Sequence, residues 1–160
     1  MSDRIPMTPA GHAKLEAELK RLKTEERPQN VRDIEEARAH GDISENAEFH
    51  AAKERQSHIE GRIRAVEDKL ARAQVIDPSG PPPDSVRFGV TVVLLDCESD
   101  EEVTYTLVGE DESDVAEGRI SFSSPIARAL LGRGVDDEVQ VKVPKGSRTF
   151  EIREIRFDPS

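Results

Sequence analysis

The chain has 160 residues, of which 33 are acidic and 23 basic, so its formal net charge is −10. This length allows one ordinary domain or two small ones, and an apolar content of 35% without tryptophan excludes a single large aromatic-rich core. The acidity argues against independent binding of duplex DNA, because such binding depends on basic side chains that neutralise phosphates. Any contact with nucleic acid is therefore expected to go through a partner.

Cysteine usage and the amino terminus bear on the compartment. Cys97 is the single cysteine, so no internal disulfide can form, which is typical of a reducing cytoplasm. The first residues contain no apolar signal segment, and no run approaches the roughly 20 apolar residues of a membrane span. A soluble cytoplasmic protein without a membrane partner is expected.

The first half of the chain, residues 1–76, is predicted to start with a long helix. Thr8 followed by Pro9 is a typical helix start, with Thr8 as N-cap. Steps of three and four then predict a coiled-coil seam. Its members are His12, Leu15, Leu19 and Leu22 and, after a loss of phase, Val31, Ile34 and Ala37. Pro28 is expected to kink or underwind the helix between the two groups.

A second helix is predicted over residues 47–76. Its seam comprises Phe49, Ala52, Gln56, Ile59, Ile63, Val66, Leu70 and Ala73. The connection from the first helix is short, with Gly41 as a C-cap glycine, so the two helices must be antiparallel. Residues 41–46 then form the tip of a coiled-coil hairpin.

The second half differs in pattern and charge. Residues 77–84 contain three consecutive prolines and predict an extended linker. Residues 85–160 form the second domain, and the part from residue 77 onward carries 18 acids against nine bases. Four stretches alternate with a period of two and predict antiparallel strands around 90–95, 103–108, 139–143 and 149–157, the last two joined as a hairpin.

A short helix is predicted between the second and third of these strands. Ser124 is its N-cap, Pro125 is its first residue, and Gly132 follows its end. One helix on a small antiparallel sheet, together with the helical hairpin, gives an α+β fold.

Asp42 and Glu45, at the tip, allow two interpretations. Asp42 as N-cap and Glu45 three residues later fit a capping box that serves only the helix. Alternatively, two carboxylates at this spacing form one side of a Mg²⁺ site that a partner must complete, since Mg²⁺ prefers octahedral oxygen coordination. Such a pair could orient a water for phosphodiester hydrolysis inside another enzyme.

Other charged residues of the second helix have simpler explanations. His50, Glu54 and His58 share one helix face, but no fourth zinc ligand is evident. The basic residues of this helix fit a solvated coiled-coil flank with ion pairs. Only Arg38 and Lys53, near the tip, stand out from this background.

Several motifs resemble the GreA/GreB family of bacterial transcript cleavage factors. They are Ile5-Pro-Met-Thr8, the tip sequence from Glu36 to Ala52, Glu60-Gly-Arg-Ile63, and Ile120-Ser-Phe-Ser-Ser-Pro-Ile-Ala-Arg-Ala-Leu-Leu-Gly132. They occur in order and cover nearly the whole chain. The acidity is closer to the GreA branch of the family.

The resemblance implies a transcription elongation factor, not an enzyme in its own right. Its finger would enter the secondary channel of RNA polymerase, and its second domain, similar to the FK506-binding-protein fold, would dock at the channel entrance. The family's paired catalytic acids fall on Asp42 and Glu45. The basic residues of the finger that contact the channel or the RNA would be Arg38 and Lys53, and the docking segment would be 123–125, that is Ser123, Ser124 and Pro125.

In this interpretation the tip stimulates the polymerase to cut the 3′ end of backtracked nascent RNA. The factor needs no cofactor of its own and acts with the Mg²⁺ of the polymerase. One departure from the family pattern is Ser44, where some members carry lysine. Two alternatives remain open: a channel-blocking inhibitor that does not stimulate cleavage, and a prolyl isomerase, for which the chain offers few aromatic residues to line a pocket.

Overall fold

The computed structural model describes residues 3–42 and 46–158, and the chain forms two compact units. One unit contains residues 12–73. The other contains residues 4–11 and the chain from residue 74 onward. No helix in the described part of the chain is both long and apolar enough to cross a membrane.

The first unit is the predicted helical hairpin. Helix α1 (Pro9–Arg21), a π-helical turn (Leu22–Glu26) and helix α2 (Arg27–Ala39) follow one another without a break, and helix α3 (Ala47–Ala71) returns beside them. The side-chain contacts pair residue 23 with 67, 30 with 52 and 46 with 37. One number falls as the other rises, so the helices are antiparallel, as predicted.

The seam of the hairpin confirms most of the predicted positions and corrects one. Leu22, Ile34, Ile59 and Ile63 are buried. Val31, predicted to lie in the seam, is 44% exposed. The next buried position after Leu22 is Asn30, eight residues later, because the π turn adds one residue to the heptad and shifts its phase.

Helix α3 ends earlier than predicted. It stops at Ala71, and the prediction that it continues to residue 76 is wrong. Ala73–Val75 forms strand β2, which pairs with strand β1 (Ile5–Met7). The backbone N–H of Ile76 extends this pairing by donating to the Met7 carbonyl at 2.9 Å. The β-branched Val75 and Ile76 favour strand over helix at this end.

The second unit contains a five-stranded sheet in the order β5-β4-β3-β7-β6. Its strands are β3 (Thr91–Asp96), β4 (Glu102–Val108), β5 (Arg119–Ser121), β6 (Glu138–Val143) and β7 (Gly146–Arg156). The four predicted strands are confirmed, and they pair antiparallel with one another, β4 with β3, β3 with β7 and β7 with β6. Strand β5 was not predicted; it pairs parallel with β4, so the sheet is mixed.

The hydrophobic core lies between the sheet and helix α4 (Pro125–Leu130). Leu94, Ile152, Ala127 and Leu130 have no exposed surface. In strand β7 the pairing with β3 skips Arg153, a bulge that keeps both Ile152 and Ile155 buried. The core fixes α4, and with it the loop that precedes α4.

Candidate functional site

Two Arg–Glu pairs join the helices of the hairpin. Arg62 donates from Nε and Nη2 to the Glu18 carboxylate at 2.6 and 2.7 Å. Arg27 donates in the same way to Glu60 at 2.9 and 2.7 Å. The hydrogen bonds from these arginines lower the pKa of both glutamates. Such two-pronged pairs fix geometry as well as adding energy, so they hold one helix in place along the other.

A buried asparagine adds a second constraint on the same helices. Asn30 is 2% exposed, and its Nδ2 donates to the backbone carbonyl of Ala52 on α3 at 2.9 Å. A polar residue in a coiled-coil seam specifies register, because another register would leave the amide unpaired. The register between α2 and α3 is therefore fixed, and with it the position of the connection between these helices.

The end of α2 and the start of α3 are capped at the tip. The backbone N–H of His40 donates to the Ala37 carbonyl at 3.2 Å. Gly41 follows with φ +128°, a conformation open to glycine. Asn46 is the N-cap of α3, and its Oδ1 accepts from the backbone N–H of Phe49 at 3.0 Å.

The predicted capping role of Asp42 is therefore wrong. Asp42 lies four residues before Asn46, is exposed, and precedes the first turn of α3. It lines a shallow hollow of about 430 Å³ with His40, Asn46, Ala47 and Glu48. Glu45, the second predicted tip acid, lies outside the described residues.

The two predicted basic residues flank this tip. The Arg38 guanidinium lies over the Phe49 ring at 5.8 Å from its centroid, and Lys53 Nζ donates to the side chain of Gln56 at 2.8 Å. Both residues are exposed. Within residues 3–42 and 46–158, neither cation forms an ion pair with a carboxylate, which leaves their charge available to an anionic partner.

The predicted zinc alternative finds no support in the described residues. His50, Glu54 and His58 are exposed and do not form a close ligand group. Over the described chain, the one group of three such side chains with ligand atoms within 4.8 Å of one another is Cys97, Glu138 and Glu151, in the second unit. Burial and these neighbouring carboxylates raise the pKa of the Cys97 thiol, which keeps it protonated and makes it a poor nucleophile.

The predicted docking segment forms a closed hydrogen-bond network before α4. Ser124 Oγ accepts from the Ala127 N–H at 3.4 Å, which confirms it as the N-cap, and donates to the Ser121 carbonyl at 2.7 Å. Ser123 Oγ donates to Glu110 Oε1 at 2.8 Å. These bonds hold the loop in one conformation, and Pro125 is exposed at its end.

The charge around this segment differs from the rest of the domain. Residues 119–135 contain three arginines and no acidic residue, although the chain as a whole carries a net charge of −10. Arg128 and Arg133 are exposed, and Leu131 and Val135 are 37% and 49% exposed. The sequence prediction missed this surface, which the absence of acids over 17 residues could have revealed.

The fold defines a class of protein: a helical hairpin with an exposed aspartate in its connection, joined to a small α+β unit with a hydrogen-bonded loop before α4. Both halves of the chain match models of known protein families. Residues 5–75 match the family described as "Transcription elongation factor, N-terminal", and residues 81–157 match "Transcription elongation factor, GreA/GreB, C-term".

Individual relatives are similar over their full length. The transcription elongation factor GreA of Trichlorobacter lovleyi is 54% identical over 99% of this chain and 100% of its own. The GreA proteins of Hyphomonas neptunium and Rhodospirillum rubrum are 57% and 56% identical, each over 97% of this chain and 99% of its own. The solved structure of the transcription factor Gfh1 is 30% identical over 97% of this chain and 99% of its own, with a TM-score of 0.47.

The chain therefore belongs to the GreA/GreB family of transcription elongation factors. This assignment rests on the sequence comparisons. It makes the protein a factor that acts on RNA polymerase, not an enzyme in its own right.

Proposed function

We propose that this factor inserts its hairpin tip into the secondary channel of RNA polymerase and stimulates cleavage of the 3′ end of backtracked RNA. The observation that carries the proposal is the position of Asp42. This acid is exposed in the connection between α2 and α3, and the N-cap of α3 is Asn46. The site of action would be the cytoplasm, where the polymerase works.

The chemistry of the tip fits a hard cation held by a partner. Asp42 offers carboxylate oxygens, and Glu45, close in the sequence, offers two more; these are the ligands Mg²⁺ prefers. Mg²⁺ of the polymerase supplies Lewis-acid activation for phosphodiester hydrolysis. The contribution of this chain is to add negative charge beside that ion and to accept a hydrogen bond from the attacking water, which orients it.

Arg38 and Lys53 have a separate role in this proposal. Both cations are exposed near the tip, and neither is neutralised by a carboxylate within the described chain. Guanidinium and ammonium groups bind phosphate oxygens by charge-assisted hydrogen bonds. They would hold the extruded RNA, or acidic groups of the channel wall, beside the tip acids.

Docking is assigned to the loop of Ser123, Ser124 and Pro125 and to the exposed arginines and apolar side chains that follow it in the sequence. The serine network prepares the loop, so little conformational entropy is lost when it binds. Exposed arginines beside exposed apolar side chains fit a partner surface that is itself acidic and partly apolar. We infer that such a surface lies at the entrance of the channel.

The test uses a stalled, backtracked elongation complex with labelled RNA. The wild-type protein should shorten the RNA from its 3′ end, and Asp42→Asn should reduce the cleavage rate about 100-fold or more, as expected when a preorganised charged group is lost from a reacting site. Asp33→Asn, an equal change of charge on α2, is the matched control and should cleave like wild type. Raising the Mg²⁺ concentration should restore part of the activity of Asp42→Asn by mass action.

Two results would overturn the proposal. A fully active Asp42→Asn protein would remove Asp42 from the chemistry. A wild-type protein that slows elongation without shortening the RNA would identify a channel-blocking inhibitor instead.

A further inference from the structure

A single side chain joins both helix ends at the tip. Asn46 is half-buried and is the N-cap of α3, with Oδ1 accepting from the Phe49 N–H. Its Nδ2 donates in the opposite direction, to the backbone carbonyl of Ala37 near the end of α2. The amide therefore joins two residues nine positions apart in the sequence, with both tip acids between them.

This bridge links one group from each helix end. The Phe49 N–H is among the first N–H groups of α3, which lack partners within their own helix, and the Ala37 carbonyl near the end of α2 accepts from Asn46 in addition to the His40 N–H. An asparagine amide carries a donor and an acceptor on one planar group. An aspartate at this position keeps the acceptor but loses the donor, although it caps a helix equally well.

The two residues that the bridge joins, Ala37 and Phe49, also make other contacts. Ala37 is buried in the seam, and its carbonyl also accepts from the His40 N–H at 3.2 Å. Phe49, whose N–H is capped, carries the Arg38 guanidinium on its ring. The bridge thus fixes the separation between the end of α2 and the start of α3, and with it the two ends of the connection that bears Asp42.

We propose that Asn46 is a positioning residue for Asp42: its amide clamps the end of α2 to the start of α3, so that the connection bearing Asp42 is presented to the polymerase site with both of its ends held. This inference rests on the proposed cleavage function. Misplacement of a reacting group by about 1 Å costs up to roughly 100-fold in rate, so loss of the clamp should impair cleavage without changing docking.

The experiment compares Asn46→Asp with Ala47→Asp in the full-length protein. Both variants add one negative charge at the start of α3, but only Asn46→Asp removes the donor to Ala37. The maximal cleavage rate at saturating factor should fall roughly tenfold or more for Asn46→Asp and stay near wild type for Ala47→Asp. The concentration that gives half-maximal cleavage, and the thermal midpoint, should be close to wild type in both.

The outcomes separate this inference from the function on which it rests. An Asn46→Asp protein with the wild-type maximal rate overturns the clamp, as does an equal loss in Ala47→Asp, which would assign the effect to charge. A loss that appears only as weaker binding or a lower thermal midpoint also overturns it, since a positioning role acts on the rate. If the wild-type protein itself stimulates no cleavage, the proposed function fails and the inference fails with it.

Discussion

The helical hairpin and the sheet unit are stabilised by different kinds of contact. In the hairpin, the described buried side chains, among them Leu22, Ile34 and Ile63, follow a seam between the helices, and directional polar contacts accompany it. In the sheet unit, thirteen buried residues form one core. Hydrophobic burial is non-directional, whereas hydrogen bonds fix register. The polar contacts thus fix the register of the hairpin, and the core of the sheet unit fixes α4 and the loop that precedes it.

The largest expected difference between the two units is in the free energy of unfolding that is lost when a buried isoleucine is replaced by alanine. Ile152→Ala in the sheet unit should cost about 4 kcal/mol, and Ile63→Ala in the hairpin about 2 kcal/mol, because a seam open to solvent collapses more easily around a cavity. Urea unfolding separates the two units: Tyr105, the single tyrosine, packs against the sheet core, and circular dichroism at 222 nm reports mainly the helices. A cost at Ile63 equal to that at Ile152 would contradict the comparison.

The affinity for RNA polymerase should change with substitutions in the sheet unit and not with substitutions in the hairpin. Arg128→Glu reverses an exposed charge on α4, next to the proposed docking loop, and should weaken binding to RNA polymerase about tenfold, with maximal cleavage unchanged at saturating factor. Lys145→Glu makes the same change in the exposed turn between β6 and β7 and serves as control. Titration of cleavage rate against factor concentration measures both quantities. A lower maximal rate in Arg128→Glu would show that the two units do not divide binding from chemistry as proposed.

The hairpin should lose stability in acid. The pKa of Glu18 is lowered in the folded protein, mainly by its hydrogen bond to Arg62, so its stabilising contribution is present above the ordinary pKa of a glutamate and is lost as pH falls through the lowered folded pKa. Glu18→Gln should cost about 1 kcal/mol or less at pH 7 and flatten this acid dependence. Helical melts at several pH values provide the measurement.

Glu35→Gln, an exposed acid on α2, is the control for charge. It should keep the wild-type acid profile. If Glu18→Gln keeps the same steep profile as well, the Arg62 pair does not contribute to the stability of the hairpin.

The smallest effect is expected for Asp42 in stability measurements. Because Asn46 caps α3, Asp42→Ala should change the free energy of unfolding by less than about 0.5 kcal/mol, whereas Asn46→Ala removes the cap and should cost about 1 kcal/mol. Thermal melts of the two variants side by side test this. A larger loss in Asp42→Ala than in Asn46→Ala would return Asp42 to the role of helix cap.

Periodic elements could be predicted from the sequence because their signal is local. The heptad seam of α3 and the alternating strands repeat over many residues, and Ser124-Pro125 marks the start of α4. Val31 was misplaced because the π turn adds a residue, and that choice depends on packing against α3. Strand β5 has only three residues and pairs parallel with β4, so its signal is nonlocal.

The tip illustrates a second limit of prediction. Asp42 and Asn46 are both good N-cap residues, and helical pattern follows each of them, so local sequence could not choose between the two starts. The contact with Ala37 across the hairpin favours Asn46. The roles of Asp42, Glu45, Arg38, Lys53 and the segment 123–125 came from the family resemblance and stay predictions, as does the linker at 77–84.

Competition between variants tests the central claim most directly, namely that the tip acts on the reaction while docking energy comes from elsewhere. Increasing amounts of Asp42→Asn are added to backtracked elongation complexes at a fixed, subsaturating concentration of wild-type factor, and RNA cleavage is followed. The variant should displace wild type with equal affinity and bring cleavage down to the rate of polymerase alone. Failure of the variant to compete, or cleavage that stays at the wild-type rate as it accumulates, would contradict the account.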